Sequence, residues 1–285
     1  MLVTSKLNRL EGIDFRAGAD SDRISRYRRE KLFFNGAEIS IPFVDMTAGE
    51  NFHPDLVIVS TKGWQLEKAA EMLGKYISPG CIILPLLNGI SSVEFLQRRF
   101  PHARVLYGYF IGHASVRTGT SVNHDGVGTF FFGDADNREL SAETLAVEEL
   151  FRRAGINCTI PQDMIYSMWK KYILNVGVNQ ATAYFKVTYG GLQQDSKKLD
   201  FALNLMLEAR TVAGYCGVKT DDLMIKDAMD LILTMPPQAM TSMYQDICNG
   251  TPTEIGLFAG EICRLAEKFS IDVPYNRQIL AAIDR

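Results

Sequence analysis

Positions 168 to 183 read MWKKYILNVGVNQATA, and three polar residues there recur every fourth position: Lys171, Asn175 and Asn179. Residues at that spacing lie one above another on a helix face, so they form a polar stripe. The other faces carry Trp169, Ile173, Leu174, Val176, Val178 and Ala181, which leaves little surface for water. Asparagine is a poor helix former because its side chain competes for nearby backbone groups, and a solvated face would more naturally use Glu, Lys or Arg. Fixed amides in register with a cation are the equipment for holding a polar ligand. The same stripe also serves a structural purpose if it bonds a neighbouring helix or loop.

Four further residues are candidates. Lys62 closes the apolar run DLVIVSTK and Asn88 closes CIILPLLNG. In an open parallel sheet, ligands bind outside the carboxyl ends of the strands, where both would stand. Exposed loop residues without a role fit the same positions. Glu254 closes Thr251-Pro-Thr-Glu254, a capping-box pattern with Pro at the first helical position, which explains a glutamate without chemistry. Ser242, in MTSMYQD, reads equally as a helix N-cap.

The elements that must position these residues fall into two textures. Up to about residue 160, short apolar runs alternate with amphipathic stretches, the pattern of βαβ units around a parallel sheet. Expected strands are Ile13 to Arg16, Leu56 to Ser60, Cys81 to Leu87, Val105 to Phe110, Thr129 to Phe132 and Asn157 to Ile160. WQLEKAAEMLGKYI carries a helical stripe, and Asn35-Gly36 in LFFNGAEISI is a strong hairpin signal. Beyond Pro161 every period is helical: the opening stretch, KLDFALNLMLEARTVAGYCG, DDLMIKDAMDLILTM stopped by Pro236 and Pro237, and a last long helix from Thr251-Pro252 to about Phe269. The expected division is residues 1–162, an α/β half, and 163–285, an all-helical half.

Composition sets outer limits. A chain of 285 residues with 47 % hydrophobic and 22 % charged residues fits a globular protein of two medium domains. Its net charge of -3 gives no basic excess for nucleic acid or an anionic membrane. No apolar run approaches a membrane span, and MLVTSKLNRLEG lacks a secretory core, so a cytoplasmic protein is expected. Cys81, Cys158, Cys216, Cys248 and Cys263 show no CxxC pair or Cys/His cluster, so buried reduced thiols and no metal site are expected.

VIVSTKGWQ, LLNGISSVEFL, WKKYILNVGVNQATA, TSMYQDICNGTPTEI and IDVPYN, in this order and spacing, resemble the successive motifs of the ketopantoate reductase (2-dehydropantoate 2-reductase) family from about residue 13 to residue 280. The resemblance implies a Rossmann-type NADPH domain joined to a helical domain like the C-terminal one of 6-phosphogluconate dehydrogenase, with the site in the cleft between them. It implies reduction of 2-dehydropantoate to pantoate on the route to pantothenate and coenzyme A. Lys171 would be the general acid and Glu254 its organising partner. Asn175, Asn179, Ser242 and Asn88 would hold the substrate, and Lys62 and Asn88 would line the nicotinamide side. A relative acting on another small 2-keto acid, and a non-catalytic remnant with weak cofactor binding, are the alternatives. A homodimer is carried as an expectation.

One family feature is missing from these residues. Nothing in the chain reads G-x-G-x-x-G, the turn that lets backbone approach a pyrophosphate. IDFRAG resembles the second Rossmann strand, so the first strand and its glycine turn are expected to be lacking, and NADPH is expected to bind weakly or not at all. The leading explanation is a chain that starts late, through a misplaced start codon, a frameshifted or decayed gene, or a shortened clone. Ser5 to Glu11 fits the tail of the helix before the second strand, and MLVTS fits a short replacement strand that brings no glycine turn. After IDFRAG the chain runs ADSDRISRYRR, read as having no acidic residue at the strand tip and several arginines nearby. That favours a 2′-phosphate and NADPH over NADH, with Arg16 or Arg23 as its partner, although Arg26, Arg28 and Arg29 read equally well as an exposed helix face.

Overall fold

The computed structural model describes residues 1–112, 116–124 and 127–283. The chain divides into two units. Unit 1 comprises Met1–Thr61, Gln65–Leu87 and Ser92–Met164, and unit 2 comprises Lys62–Trp64, Asn88–Ser91 and Ile165–Arg285.

Unit 1 begins with α1 (Leu2–Leu7), β1 (Ala17–Ala19), α2 (Ser21–Glu30), β2 (Phe33–Phe34), β3 (Ala37–Glu38) and β4 (Phe43–Asp45). It continues through β5 (Leu56–Val59), α3 (Leu66–Leu73), β6 (Ile82–Pro85), α4 (Ser92–Arg99), β7 (Arg104–Val105) and β8 (Tyr107–Gly112). Then come β9 (Val116–Thr118), β10 (Ser121–Asn123), β11 (Gly128–Gly133), α5 (Ala142–Arg153) and β12 (Cys158–Thr159). Strands β5, β6 and β7 form a parallel sheet in that order. Successive side chains of a strand point to opposite faces. Ile83 accordingly packs with Ala70, Val93, Leu96 and Phe100 on one face, and Leu84 with Leu7, Phe132, Val147 and Phe151 on the other. Both are fully buried, each contributing roughly 1.5–3 kcal/mol through removal from water. This two-sided cover is what a parallel sheet requires.

Strand β1 pairs in parallel with β4, Ala17 opposite Phe43 and Ala19 opposite Asp45, as a separate two-stranded sheet. In the Rossmann order 3-2-1-4-5-6, β4 and β1 stand for positions 3 and 2, and β5, β6 and β7 for positions 4, 5 and 6. Among the described residues no strand occupies the position between β1 and β5. The edges show it: Gly18 is exposed, and Leu56 and Ile58 are only half-buried.

Local readings shift for the same reason. Ile13 to Arg16, expected as a strand, makes no ladder, because no neighbour stands beside it; Ile13 and Phe15 still pack into the apolar cluster, and pairing starts at Ala17. MLVTS is not a replacement strand but the start of α1. Val3 and Leu7 stand one turn apart and both face that cluster, which a strand's alternation would not allow for Leu2 and Val3 together. The run expected from Val105 to Phe110 breaks at Leu106, where β7 leaves β6 and β8 begins its antiparallel pairing with β11. The Asn35-Gly36 hairpin forms as expected between β2 and β3, with φ of 50° and 77° at its two turn residues, the conformation that favours Asn-Gly.

Unit 2 is helical: α6 (Met164–Phe185), α7 (Tyr189–Gln193), α8 (Ser196–Tyr215), α9 (Leu223–Thr234), α10 (Ser242–Cys248), α11 (Ala259–Phe269) and α12 (Pro274–Ile283). Helix α6 runs through its centre, with Ile173, Val176, Gln180, Ala181 and Thr182 all fully buried. Burial of Gln180 is tolerated because its amide donates to Val176 O and Asn276 Oδ1 and accepts from Ala259 N. The last long helix starts at Ala259 rather than Thr251, after a 3-10 turn over Ile255–Leu257 and a break at Phe258 (φ -103°, ψ -91°). Among the described residues no helix is long and apolar enough to cross a membrane. The cysteines are free; Cys81 and Cys263 are buried as expected, Cys158 and Cys216 are half-buried, and Cys248 is exposed at the end of α10, against the expectation of buried thiols.

Helix α6 approaches α8 closely at Gly177. A Cβ there would lie 2.4 Å from Met206 Cγ and 3.0 Å from Ala202 O. The variant Gly177→Ala is therefore expected to destabilise unit 2 by about 1–3 kcal/mol through overpacking, read as a lower urea midpoint in chemical denaturation.

Candidate active site

Unit 2 gathers most of the candidate residues. Lys171 is half-buried on α6, and its Nζ donates to Asn88 Oδ1 at 3.3 Å. The Asn88 amide donates in turn to Glu254 Oε2 at 2.9 Å, while Glu254 Oε1 accepts the Gly63 backbone N–H at 3.3 Å. Glu254 is only 7 % exposed. A buried carboxylate needs donors of this kind; Glu254 stands at the N-cap position of the 3-10 turn Ile255–Leu257, but its side chain makes no cap bond there, and the Thr251 hydroxyl bonds Asp246 instead of closing a capping box.

The segment bearing Glu254 is set by α6 itself. Tyr172, next to the lysine, points its hydroxyl at Leu257 O and Phe258 O, both at 3.0 Å. Two turns further on, Gln180 Oε1 receives the Ala259 N–H at 2.7 Å. One helix thus carries the lysine and fixes the turn opposite it. Gly63 and Gly89 flank the same turn: a Cβ on Gly63 would sit 2.3 Å from Leu257 Cδ1, and Gly89 has φ of +87°, which a side chain would strain.

The rest of the stripe is partly committed. Asn179, buried, accepts from Ser242 Oγ at 3.2 Å and from Met243 N at 3.4 Å, and its amide donates to Asn175 Oδ1 at 3.1 Å. Asn179 therefore holds the first turn of α10. Thr241, not Ser242, is the N-cap of that helix, accepting from Tyr244 N at 3.3 Å. Lys62 forms an ion pair with Asp246 at 2.7 Å, and Thr251 Oγ1 donates to the other Asp246 oxygen at 3.1 Å.

In unit 1, Arg16 is engaged by Asp14 at 3.0 Å and Glu50 at 3.8 Å, and its guanidinium lies 4.5 Å from the Phe52 ring centroid. Arg23 is exposed in the first turn of α2, which Asp20 caps by accepting Arg23 N at 2.7 Å. The reading of the strand tip needs correction here: the strand runs Ala17–Ala19, so the residue at its tip is the acidic Asp20. Asp246, Tyr172, Gln180, Gly63 and Leu257 were not singled out by sequence. Asp246 lies inside TSMYQDICNGTPTEI, Gly63 inside VIVSTKGWQ, and Tyr172 and Gln180 inside WKKYILNVGVNQATA, so membership of a motif was the available signal for all but Leu257.

The electrostatics of Lys171 are those of a proton donor near neutrality. Burial lowers its pKa from the ordinary 10.5, and the charge of Glu254 raises it, leaving it at about 8. Such an ammonium can be charged at neutral pH and still release its proton to a developing alkoxide. Among the described residues no group of three or more His, Cys, Asp or Glu is placed to hold a metal ion.

Parallel strands covered on both faces, followed by a helical unit with a sheltered lysine, define an oxidoreductase with a Rossmann-type nucleotide-binding half. Residues 1–137 match the family described as ketopantoate reductase PanE/ApbA, and residues 163–285 match the ketopantoate reductase PanE/ApbA C-terminal family; the chain belongs to the ketopantoate reductase family. It is 24 % identical over 252 residues to the 2-dehydropantoate 2-reductase of Vibrio cholerae, covering 86 % of this chain and 82 % of the relative. It is 27 % identical over 226 residues to that of Archaeoglobus fulgidus, covering 79 % and 74 %. Its fold is shared with a D-mandelate dehydrogenase solved with NADH and anilino(oxo)acetate (TM-score 0.86, 22 % identity, 99 % of this chain and 93 % of that one). A dimeric ketopantoate reductase from Staphylococcus aureus has the same fold (TM-score 0.78, 20 % identity, 89 % and 86 %).

The depressed pKa makes Lys171 a measurable liability. The unfolded chain keeps this proton up to about pH 10.5 and the folded chain only to about pH 8, so between those values the unfolded state binds more protons and folding stability rises with pH. Relative to Lys171→Met, the wild-type protein is expected to gain about 2 kcal/mol between pH 7 and 9.5, measured by urea denaturation of both proteins at each pH.

Proposed function

We propose that this chain reduces a small 2-keto acid to the 2-hydroxy acid, 2-dehydropantoate to pantoate being the reaction its relatives' names support. The observation that carries the reading is the Lys171–Asn88–Glu254 chain, with a lysine pKa of about 8. When bound, a nicotinamide nucleotide supplies the hydride. As negative charge gathers on the keto oxygen, the Lys171 ammonium stabilises it and then gives up its proton, so the alkoxide becomes a hydroxyl. Asn88 orients that ammonium through Oδ1, and Glu254 orients Asn88. The Asn175 amide N–H groups, which bond no other described residue, are offered to the substrate's hydroxyl or carboxylate; Ser242 and Asn179 set the edge of the same surface.

The relatives' descriptions support a nicotinamide reductant in general: the resemblance of the motifs implies NADPH, and the solved D-mandelate dehydrogenase holds NADH. That same neighbour, with its anilino(oxo)acetate, supports a second reading in which the substrate is a different 2-keto acid. The dimeric S. aureus relative supports a homodimer, checked by sedimentation equilibrium.

In an assay of nucleotide oxidation with 2-dehydropantoate, Lys171→Ala is expected to lower kcat by about 10²–10⁴-fold, with nucleotide affinity unchanged. Turnover retained in that variant would remove Lys171 from the proton-donor role. No turnover by the wild-type chain with any small 2-keto acid would overturn the reductase reading.

A further inference from the structure

The tip of β1 is built differently from what a 2′-phosphate needs. Ala19 and Asp45 are register partners at the ends of β1 and β4, and Asp20 follows Ala19 directly. One oxygen of Asp20 accepts the Arg23 N–H; the other bonds no described residue. Asp45 lies alongside. Its Oδ2 accepts from Ser21 Oγ at 2.6 Å, and its Oδ1 accepts from the Thr47 hydroxyl at 2.5 Å and the Thr47 and Ala48 N–H groups at 2.9 and 3.2 Å. These donors hold Asp45 ionised, with its pKa lowered to about 2.

Nucleotides bind outside the carboxyl ends of such strands, and the acidic group about there accepts from a ribose 2′-hydroxyl, whereas a 2′-phosphate requires a nearby arginine. The two arginines expected for that task do not supply it well. Arg16 precedes the strand and is engaged by Asp14, Glu50 and the Phe52 ring. Arg23 is exposed, with Asp22 next to it in the chain and Asp20 at the cap. A phosphate dianion at this tip would meet two carboxylates, and like charges at short range disfavour binding.

We propose that the β1 tip selects NAD(H) over NADP(H), with Asp20 accepting from the adenosine ribose 2′-hydroxyl and Asp45 adding to the repulsion of a 2′-phosphate. This rests on the reading that the chain uses a nicotinamide nucleotide at all. It replaces the expectation of NADPH, whose premise was a strand tip without an acidic residue.

Isothermal titration of the whole chain with NADH and with NADPH tests it. NADH is expected to bind at least about tenfold more tightly, a difference of about 1.4 kcal/mol. Asp20→Asn keeps an oxygen to cap α2 but removes the charge, and is expected to narrow that ratio, chiefly through tighter NADPH binding. Equal affinities, tighter binding of NADPH, a ratio unmoved in Asp20→Asn, or no binding of either nucleotide at millimolar concentration would each overturn the proposal. If NADH is preferred as stated but no 2-keto acid is reduced, the reductase reading fails and strand-tip selection stands. If 2-dehydropantoate is reduced with NADPH alone, the reductase reading stands and strand-tip selection fails.

Discussion

A carboxylate with 7 % of its surface exposed must be paid for in hydrogen bonds, and Glu254 finds its donors on residues far away in sequence, the Gly63 N–H and the Asn88 amide. From that one group the rest of the site follows. Its charge partly offsets the burial of Lys171, so the pKa of the lysine is lowered only to about 8. Its hold on Asn88 turns the amide oxygen toward the lysine. Removing one member of such a buried set leaves the other uncompensated, a cost of about 3–5 kcal/mol for buried pairs in general. Helix α6 pins the turn that carries Glu254 through Tyr172 and Gln180, which links the candidate site to the core of unit 2.

The stripe on α6 was legible because a four-residue period of Lys, Asn and Asn on an apolar helix has few explanations. Its division of labour was not. Asn179 spends its oxygen on Ser242 and Met243, so it braces α10 more than it faces outward. Glu254 read locally as a cap because Thr-Pro-Thr-Glu satisfies every local criterion; only tertiary donors 166 and 191 positions away overrule it. Asp246 was invisible for the same reason, since its partner Lys62 lies 184 positions upstream.

Strands in the first half were legible where at least one ladder partner is present. Leu56–Val59 and Ile82–Pro85 fall within their expected runs, whereas Ile13 to Arg16 has side chains that pack but no ladder partner. The split between the β1–β4 pair and the β5–β6–β7 sheet is the expected consequence of an unfilled central position. The misreading of the tip of β1 came from ending the strand at Gly18; the observed pairing carries it to Ala19, and the next residue is an aspartate.

The account turns on Lys171 being a sheltered ammonium tuned by Glu254. Its titration can be followed directly by NMR of protein labelled with ¹³C at lysine Cε, using Lys171→Met to assign the signal. The account predicts a midpoint near pH 8 that falls further in Glu254→Gln, because the raising charge is removed. A midpoint near the ordinary 10.5, or one that Glu254→Gln leaves in place, would contradict it.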